Sequence, residues 1–334
     1  MPFVDTVKLV TDEAPPPEFY RYAEVNVKYV PTEDYELGQK GPAFSQAGVS
    51  HYLQDDRGFR YRDSYGYFSV DFELPVVLGS KPCTFKESLS SIANMDFLGR
   101  SPEEFKVSRL DLCIEEPGER NDVAESLSQL FKSAPSPHRA RFDNTVYFAR
   151  SSKMVQRLRC YNRTVKTAGE EAAPDGRDLL RFELQRRRPR VIRRQFRAEK
   201  VSDLDPDMLQ YVMAKELLPL AGYKIVDYNK LVRAGYEGLA VAGFLALREL
   251  AGERVLKDGL SKHTFYKLRK LAAGVKTKKA TPNLALRALR ASLSLYRPDL
   301  VDGADAEELG VVLERLSDEV ASRRRHRKST AQGP

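Results

Sequence analysis

Three short segments gather the residue types needed to break a phosphodiester. In Arg157 to Arg163, Tyr161 alternates at two-residue spacing with Arg157, Arg159 and Arg163. Residues at that spacing share one face of a strand, so the phenol is expected among cations that favour its phenolate and hold a phosphate. Ser108 to Asp111 and Leu179 to Leu184 each add an acid beside an arginine, Asp111 with Arg109 and Glu183 with Arg181. A phenol has an ordinary pKa near ~10 and needs electrostatic help to act as a nucleophile near neutrality. Tyrosyl oxygen, acids and basic side chains together are the parts of a metal-assisted phosphodiester attack.

Each of these residues also has a plainer reading. The chain has 16 tyrosines, and one at a strand end is ordinarily an amphipathic residue of the core edge. An acid on a partly covered strand face needs either a cation, here Arg109 or Arg181, or a hard divalent ion. Ser69, Asp71 and Glu73 share a strand face too, as a solvated surface or as further metal ligands. His51, His138, His263 and His326 are isolated, which makes any metal site carboxylate-led.

The elements that must position these groups follow from periodicity. Strands are expected at Phe3–Val10, Tyr22–Val30, Gly58–Tyr61 and Tyr65–Leu74, then at Val107–Ile114, Thr145–Ala149, Gln156–Asn162 and Leu179–Gln185. A helix from about Val123 to Lys132, capped by Asn121-Asp122, interrupts the second group, and Ala168 to Arg177 reads as a mobile loop. The arrangement predicts an α+β fold in which an antiparallel nuclease sheet carries a helix and an α-helical C-terminal domain follows. Helical spacing recurs at Asp203–Leu218, Ala240–Ala251, Ser261–Ala273, Pro282–Leu295 and Ala304–Arg323. The expected division is a nuclease domain over 1–200, a helical DNA-binding domain over 201–322 and a basic flexible tail over 323–334.

Composition bounds the partners. With 334 residues, 42% hydrophobic residues, a net charge of +8 and a pI near 9.2, the chain is a globular protein suited to an acidic polymer. Nine basic and two acidic residues lie between Arg181 and Lys200. Of these, Arg186, Arg187, Arg188, Arg190, Arg193 and Arg194 are the expected phosphate contacts. Lys262, Lys267 and Lys270 fall on the outer surface of a helix capped by Ser261, as a groove-reading helix or as a solvated basic face. Three dispersed cysteines suggest neither a disulfide framework nor a zinc site. Residues 1 to 10 lack the order of a signal peptide and no apolar run approaches the roughly 18 residues of a membrane span, so a cytoplasmic protein without membrane partners is expected.

In order along the chain, Val4–Leu9, Val107–Leu112, Leu158–Arg163, Leu180–Leu184 and Leu260–Leu271 resemble the replication initiation proteins of filamentous phages, the gene II/X family, and more distantly Rep_trans-type rolling-circle initiators of plasmids. The resemblance implies a rolling-circle initiator working in the host bacterial cytoplasm. In it Tyr161 is the nicking nucleophile, with Arg159 and Arg163 on the scissile phosphate. Asp111 and Glu183 are the acids on Mg²⁺ or Mn²⁺, and the DNA is met both single-stranded and as the duplex origin. Host helicase and polymerase are the implied partners. Relatives place a glutamate where this chain has Lys166, and Asp71 or Glu73 is then the substitute ligand. The contrasting expectation, from another class, is a non-enzymatic DNA-binding regulator of replication or transcription.

Overall fold

The computed structural model describes residues 2–31, 44–64, 67–133, 138–142, 145–149, 156–168, 177–222, 224–226, 233, 235–251, 253–273, 277–279, 283–294 and 298–330. The protein is mixed α+β, as expected. Strands β1 (Pro2–Thr11), β2 (Glu24–Pro31), β3 (Phe44–Gln54), β4 (Arg60–Ser64), β5 (Tyr67–Glu73), β6 (Lys106–Glu119), β7 (His138–Phe142), β8 (Thr145–Ala149), β9 (Gln156–Asn162) and β10 (Arg177–Arg187) form one sheet. Its order is β2-β3-β4-β5-β1-β6-β10-β9-β8-β7, and every pair for which a register is defined is antiparallel. A separate two-stranded antiparallel sheet pairs β11 (Lys224–Val226) with β12 (Thr277–Lys279).

Helices α1 (Pro17–Tyr22), α2 (Leu74–Leu78), α3 (Phe85–Ala93), α4 (Arg120–Ser133), α5 (Arg163–Ala168) and α6 (Pro189–Phe196) are threaded between the strands. After them come α7 (Pro206–Ala221), α8 (Tyr236–Ala251), α9 (Glu253–Gly259), α10 (Lys262–Ala273), α11 (Leu284–Leu293), α12 (Pro298–Val301) and α13 (Ala306–Thr330). The expected loop over 168–177 lies, apart from its two ends, outside the described residues. The basic stretch from residue 323, expected to be flexible, continues α13 as helix through Thr330.

Strand alternation gives the sheet two unlike faces. Val7, Leu110, Leu112, Ile114, Phe182, Leu184, Leu158 and Cys160 are all buried and pack beneath α3, α4, α7 and α11. Where β6 runs over α4 and α11, Gly118 allows a close approach. A Cβ there would stand 3.2 Å from Leu284 and 3.3 Å from Val123. The buried cluster is continuous across residue 200: Ala198, Leu209, Met213, Leu217, Leu289 and Leu313 belong to the same core as the strands. Residues of α8, α9 and α10 instead gather around Phe244, Leu256 and Phe265. Ser261 caps α10 as expected, its hydroxyl accepting from the Thr264 N–H at 3.2 Å. No helix among the described residues is long and apolar enough to cross a membrane.

Candidate active site

The other sheet face is polar, and strand register brings the expected residues together on it. Across β6, β10 and β9, Asp111 stands opposite Gln185 and Gln185 opposite Arg157, while Glu183 faces Arg159 and Arg181 faces Tyr161. Asp111 and Glu183 are completely buried and Tyr161 is only 2% exposed. The Tyr161 hydroxyl donates to Glu183 Oε2 at 3.0 Å, and the Arg159 guanidinium donates to the same carboxylate at 2.5 Å. The Gln185 amide nitrogen donates to Glu183 Oε1 at 2.6 Å and to Asp111 Oδ2 at 3.1 Å, so one N–H₂ group links the two acids. Arg109 donates to both oxygens of Asp111, and Arg157 donates to Gln185 Oε1.

Electrostatics revises the expected state of the phenol. Burial, reinforced by the Glu183 carboxylate, pushes the Tyr161 pKa up, and Arg181 and Arg159 do not reverse it. The cations do not create a resting phenolate because the hydroxyl is buried beside the Glu183 carboxylate, and Arg159 and Arg181 are each paired with acids. Burial also raises Asp111, to about 6, against the opposing effect of Arg109. Glu183 is buried as well, yet Arg159 and hydrogen bonds from Arg159, Gln185 and Tyr161 outweigh that burial and hold its pKa below the usual range.

Other expected residues are placed differently. Arg163 leaves the strand face because β9 ends at Asn162 and Arg163 opens α5. Asn162 explains that break: its side chain accepts from the Val165 N–H at 3.2 Å and donates to buried Asp178 at 2.5 Å. Arg181 is not the partner of Glu183. It bonds Asp5 at 2.8 Å and Glu115 at 2.7 Å, since a bulge between Val4 and Thr6 turns Asp5 toward it. Asp71 bonds Arg60 at 2.6 Å and Glu73 is exposed, so neither joins Asp111 and Glu183 within ligand distance. Lys166 sits 4.4 Å from the centre of the Tyr161 ring and covers it.

The basic segment divides in two. Arg186 follows Phe182 and Leu184 on the apolar face. It is 1% exposed, hydrogen-bonded to Gln195 and paired with Glu216 of α7 at 2.9 Å, so it is structural and not a phosphate contact. Arg187, Arg188, Arg190, Arg193 and Arg194 are exposed just before and along α6, with Arg193 paired to Glu199 at 2.9 Å. Arg188 turns the chain at φ 80°, a positive value that costs a non-glycine residue energy, and its N–H is held by Ser108 O at 2.8 Å. Lys262, Lys267 and Lys270 are exposed on α10, Lys267 lying 3.6 Å from Glu237.

The donor set for a metal can be judged from Gln185. An N–H donor touching both carboxylates marks a point where positive charge is favoured and two hard oxygens converge, the chemistry Mg²⁺ or Mn²⁺ needs. Arg109 and Arg159 already neutralise one acid each, so a divalent ion would enter by displacing the amide and loosening those pairs. Among the described residues, Asp5, Cys113 and Glu183 also bring ligand atoms within 4.8 Å of one another. There, however, Asp5 is engaged by Arg181, and burial with the neighbouring acids keeps the Cys113 thiol protonated.

No protein-family model matches the chain, and no curated protein matches it.

Proposed function

We propose that the protein is a sequence-specific DNA-nicking and strand-transfer enzyme that initiates rolling-circle replication at a plus-strand origin. The observation that carries this reading is the Tyr161–Glu183 contact of 3.0 Å, with Glu183 linked through Gln185 to Asp111 and flanked by Arg159. The phenolic proton already points at a carboxylate, so its loss during attack requires no search.

In the reaction, the Tyr161 oxygen forms a bond to phosphorus while its proton passes to Glu183 Oε2. The P–O3′ bond breaks, the 3′-oxygen leaves and takes a proton from solvent, and a 5′-phosphotyrosyl ester remains. One ester replaces another, which conserves the bond for later strand transfer. Arg159 offsets charge on the phosphoryl oxygens. Asp111 and Glu183 are the residues that would hold a divalent ion, which when bound would supply polarisation of the scissile phosphate and stabilisation of the leaving oxygen. Because Tyr161 is buried beneath Lys166, a phosphodiester reaches it only after that side chain moves aside.

The second reading, a non-enzymatic DNA-binding regulator, is favoured by one observation: Asp111 and Glu183 each have an arginine partner, as structural acids do. One experiment separates the two. Purified protein is incubated with Mg²⁺ and supercoiled DNA carrying the origin of its own replicon, and the nicked product is tested for protein bound to its 5′ end. A covalent adduct that Tyr161→Phe removes supports the nickase. Binding without an adduct leaves the regulator.

A further inference from the structure

Farther along the polar face, β6, β1, β5, β4 and β3 line an open cleft of about 470 Å³. Four cations line it, Lys8, Arg60, Arg62 and Arg109, against a single carboxylate, Asp71. They form a cross-strand group in the register, with Lys8 opposite both Arg109 and Asp71, Asp71 opposite Arg60, and Arg62 opposite Ser69. Two of the charges are already matched, Arg60 by Asp71 and Arg109 by Asp111. Among the described residues the Arg62 guanidinium has no carboxylate partner, and Lys8 shares Asp71 with Arg60. Burial lowers the Lys8 pKa, Arg62 and Arg109 lower it further, and Asp71 opposes them. The cleft is short of negative charge.

The cleft belongs to the same face as Tyr161. From β1, which carries Lys8, and β4, which carries Arg62, to β9 there are three and five strand spacings, roughly 14 and 24 Å at about 4.8 Å each. We propose that this cleft is a phosphate-holding subsite for a DNA strand that lies across the sheet toward Tyr161, with Arg62 and Lys8 contacting the backbone. Its ligand is a nucleic-acid phosphodiester, positioned by charge and without base reading. The inference rests on the proposed function only in taking DNA as the ligand.

The test is a fluorescence-anisotropy titration of a labelled single-stranded origin oligonucleotide in Tyr161→Phe protein, repeated from about 50 to 200 mM salt. Each lost phosphate contact lowers the slope of log K against log salt by about 0.7 on a single strand, so Arg62→Gln should remove about 0.7 and Arg62→Gln with Lys8→Met about 1.4. Thermal unfolding checks that the variants fold, and Arg62→Gln, at an exposed position, decides the matter if the Lys8 variant does not. An unchanged slope in folded Arg62→Gln protein overturns the inference. It is also overturned if a mononucleotide displaces the oligonucleotide from the parent but not from Arg62→Gln, which would make the cleft a small-ligand pocket. Adduct formation by Arg62→Gln alone is scored separately. A chain that binds through the cleft yet never forms an adduct keeps this inference and loses the nickase, and one that nicks with an unchanged slope does the reverse.

Discussion

The hydroxyl of Tyr161 and the carboxylate of Glu183 meet diagonally across two strands, 3.0 Å apart, although neither faces the other in register. Arg181 stands opposite Tyr161 and Arg159 opposite Glu183, so the phenol and the acid are each set against the cation beside the other. The diagonal lets one carboxylate accept from a phenol through one oxygen and from the Gln185 amide through its other.

Tyr161→Phe should abolish the covalent adduct while leaving oligonucleotide affinity within about twofold. The ring keeps its packing, and the lost hydrogen bond to a charged acceptor costs about 1.5–3 kcal/mol of stability. Denaturing gels of labelled DNA after incubation, alongside chemical denaturation, read both effects.

Glu183→Gln and Asp111→Asn should each slow nicking by at least ~100-fold. They differ in stability. Glu183→Gln leaves the buried side of Arg159 without its carboxylate and should cost about 3–5 kcal/mol. Asp111→Asn removes an acid whose ionised form is disfavoured by burial, and should cost less. Single-turnover rates and denaturant midpoints check this order.

The two acids should also oppose each other in pH. The folded protein holds a proton on Asp111 up to about pH 6, well above the unfolded carboxyl, so this residue's contribution favours the fold at low pH and is lost as pH rises through 4 to 6. Glu183 has a lowered pKa, so its contribution is present above the ordinary carboxylate range and is lost as pH falls through the folded value. In metal-free buffer, Asp111→Asn should therefore gain stability relative to the parent as pH rises from 4 to about 7, whereas Glu183→Gln should lose it at lower pH, as pH rises from the lowered folded value to about 4.5, and change little above that. Parallel melting curves for parent and variants would sink this assignment.

The basic segment should split by role. Arg186→Ala should destabilise the protein by about 3–5 kcal/mol, because a buried ion pair with Glu216 near the core is broken. Arg187→Gln with Arg190→Gln should leave stability within ~0.5 kcal/mol and reduce the salt slope of duplex binding by about 0.9 per contact. Replacing Lys262, Lys267 and Lys270 should weaken duplex origin more than single-stranded DNA if α10 reads the groove. Filter binding across salt, with melting curves, separates these effects.

Much of the sheet was legible in the residues. Thr145–Ala149 and Gln156–Asn162 are strands with the expected ends, and β1, β6 and β10 only run longer than their alternation suggested. Alternation even carried a signal that the charge count hid: Arg186 continues the Phe182, Leu184 face and so belongs to the core. The pairing of the acids was less legible, because it depends on which strands lie side by side and on the bulge at Asp5. Gln185 had no distinguishing mark as a sequence letter. It matters only because β10 lies between β6 and β9, where one amide reaches both carboxylates.

The buried pair of Arg186 and Glu216 bears on how such a chain can change over evolutionary time. Strand β10 carries Glu183 and, three residues on, a buried arginine that pairs with a carboxylate on a helix from the later half. A genetic exchange joining the first 200 residues to a foreign C-terminal half would bring in a helix with no acid at that depth and a surface unfitted to Leu112 and Leu184. Such a hybrid inherits the reacting groups and loses the support of the strand that carries one of them. The region free to be swapped is accordingly smaller, the three helices around Phe244 and Phe265 with their own small core.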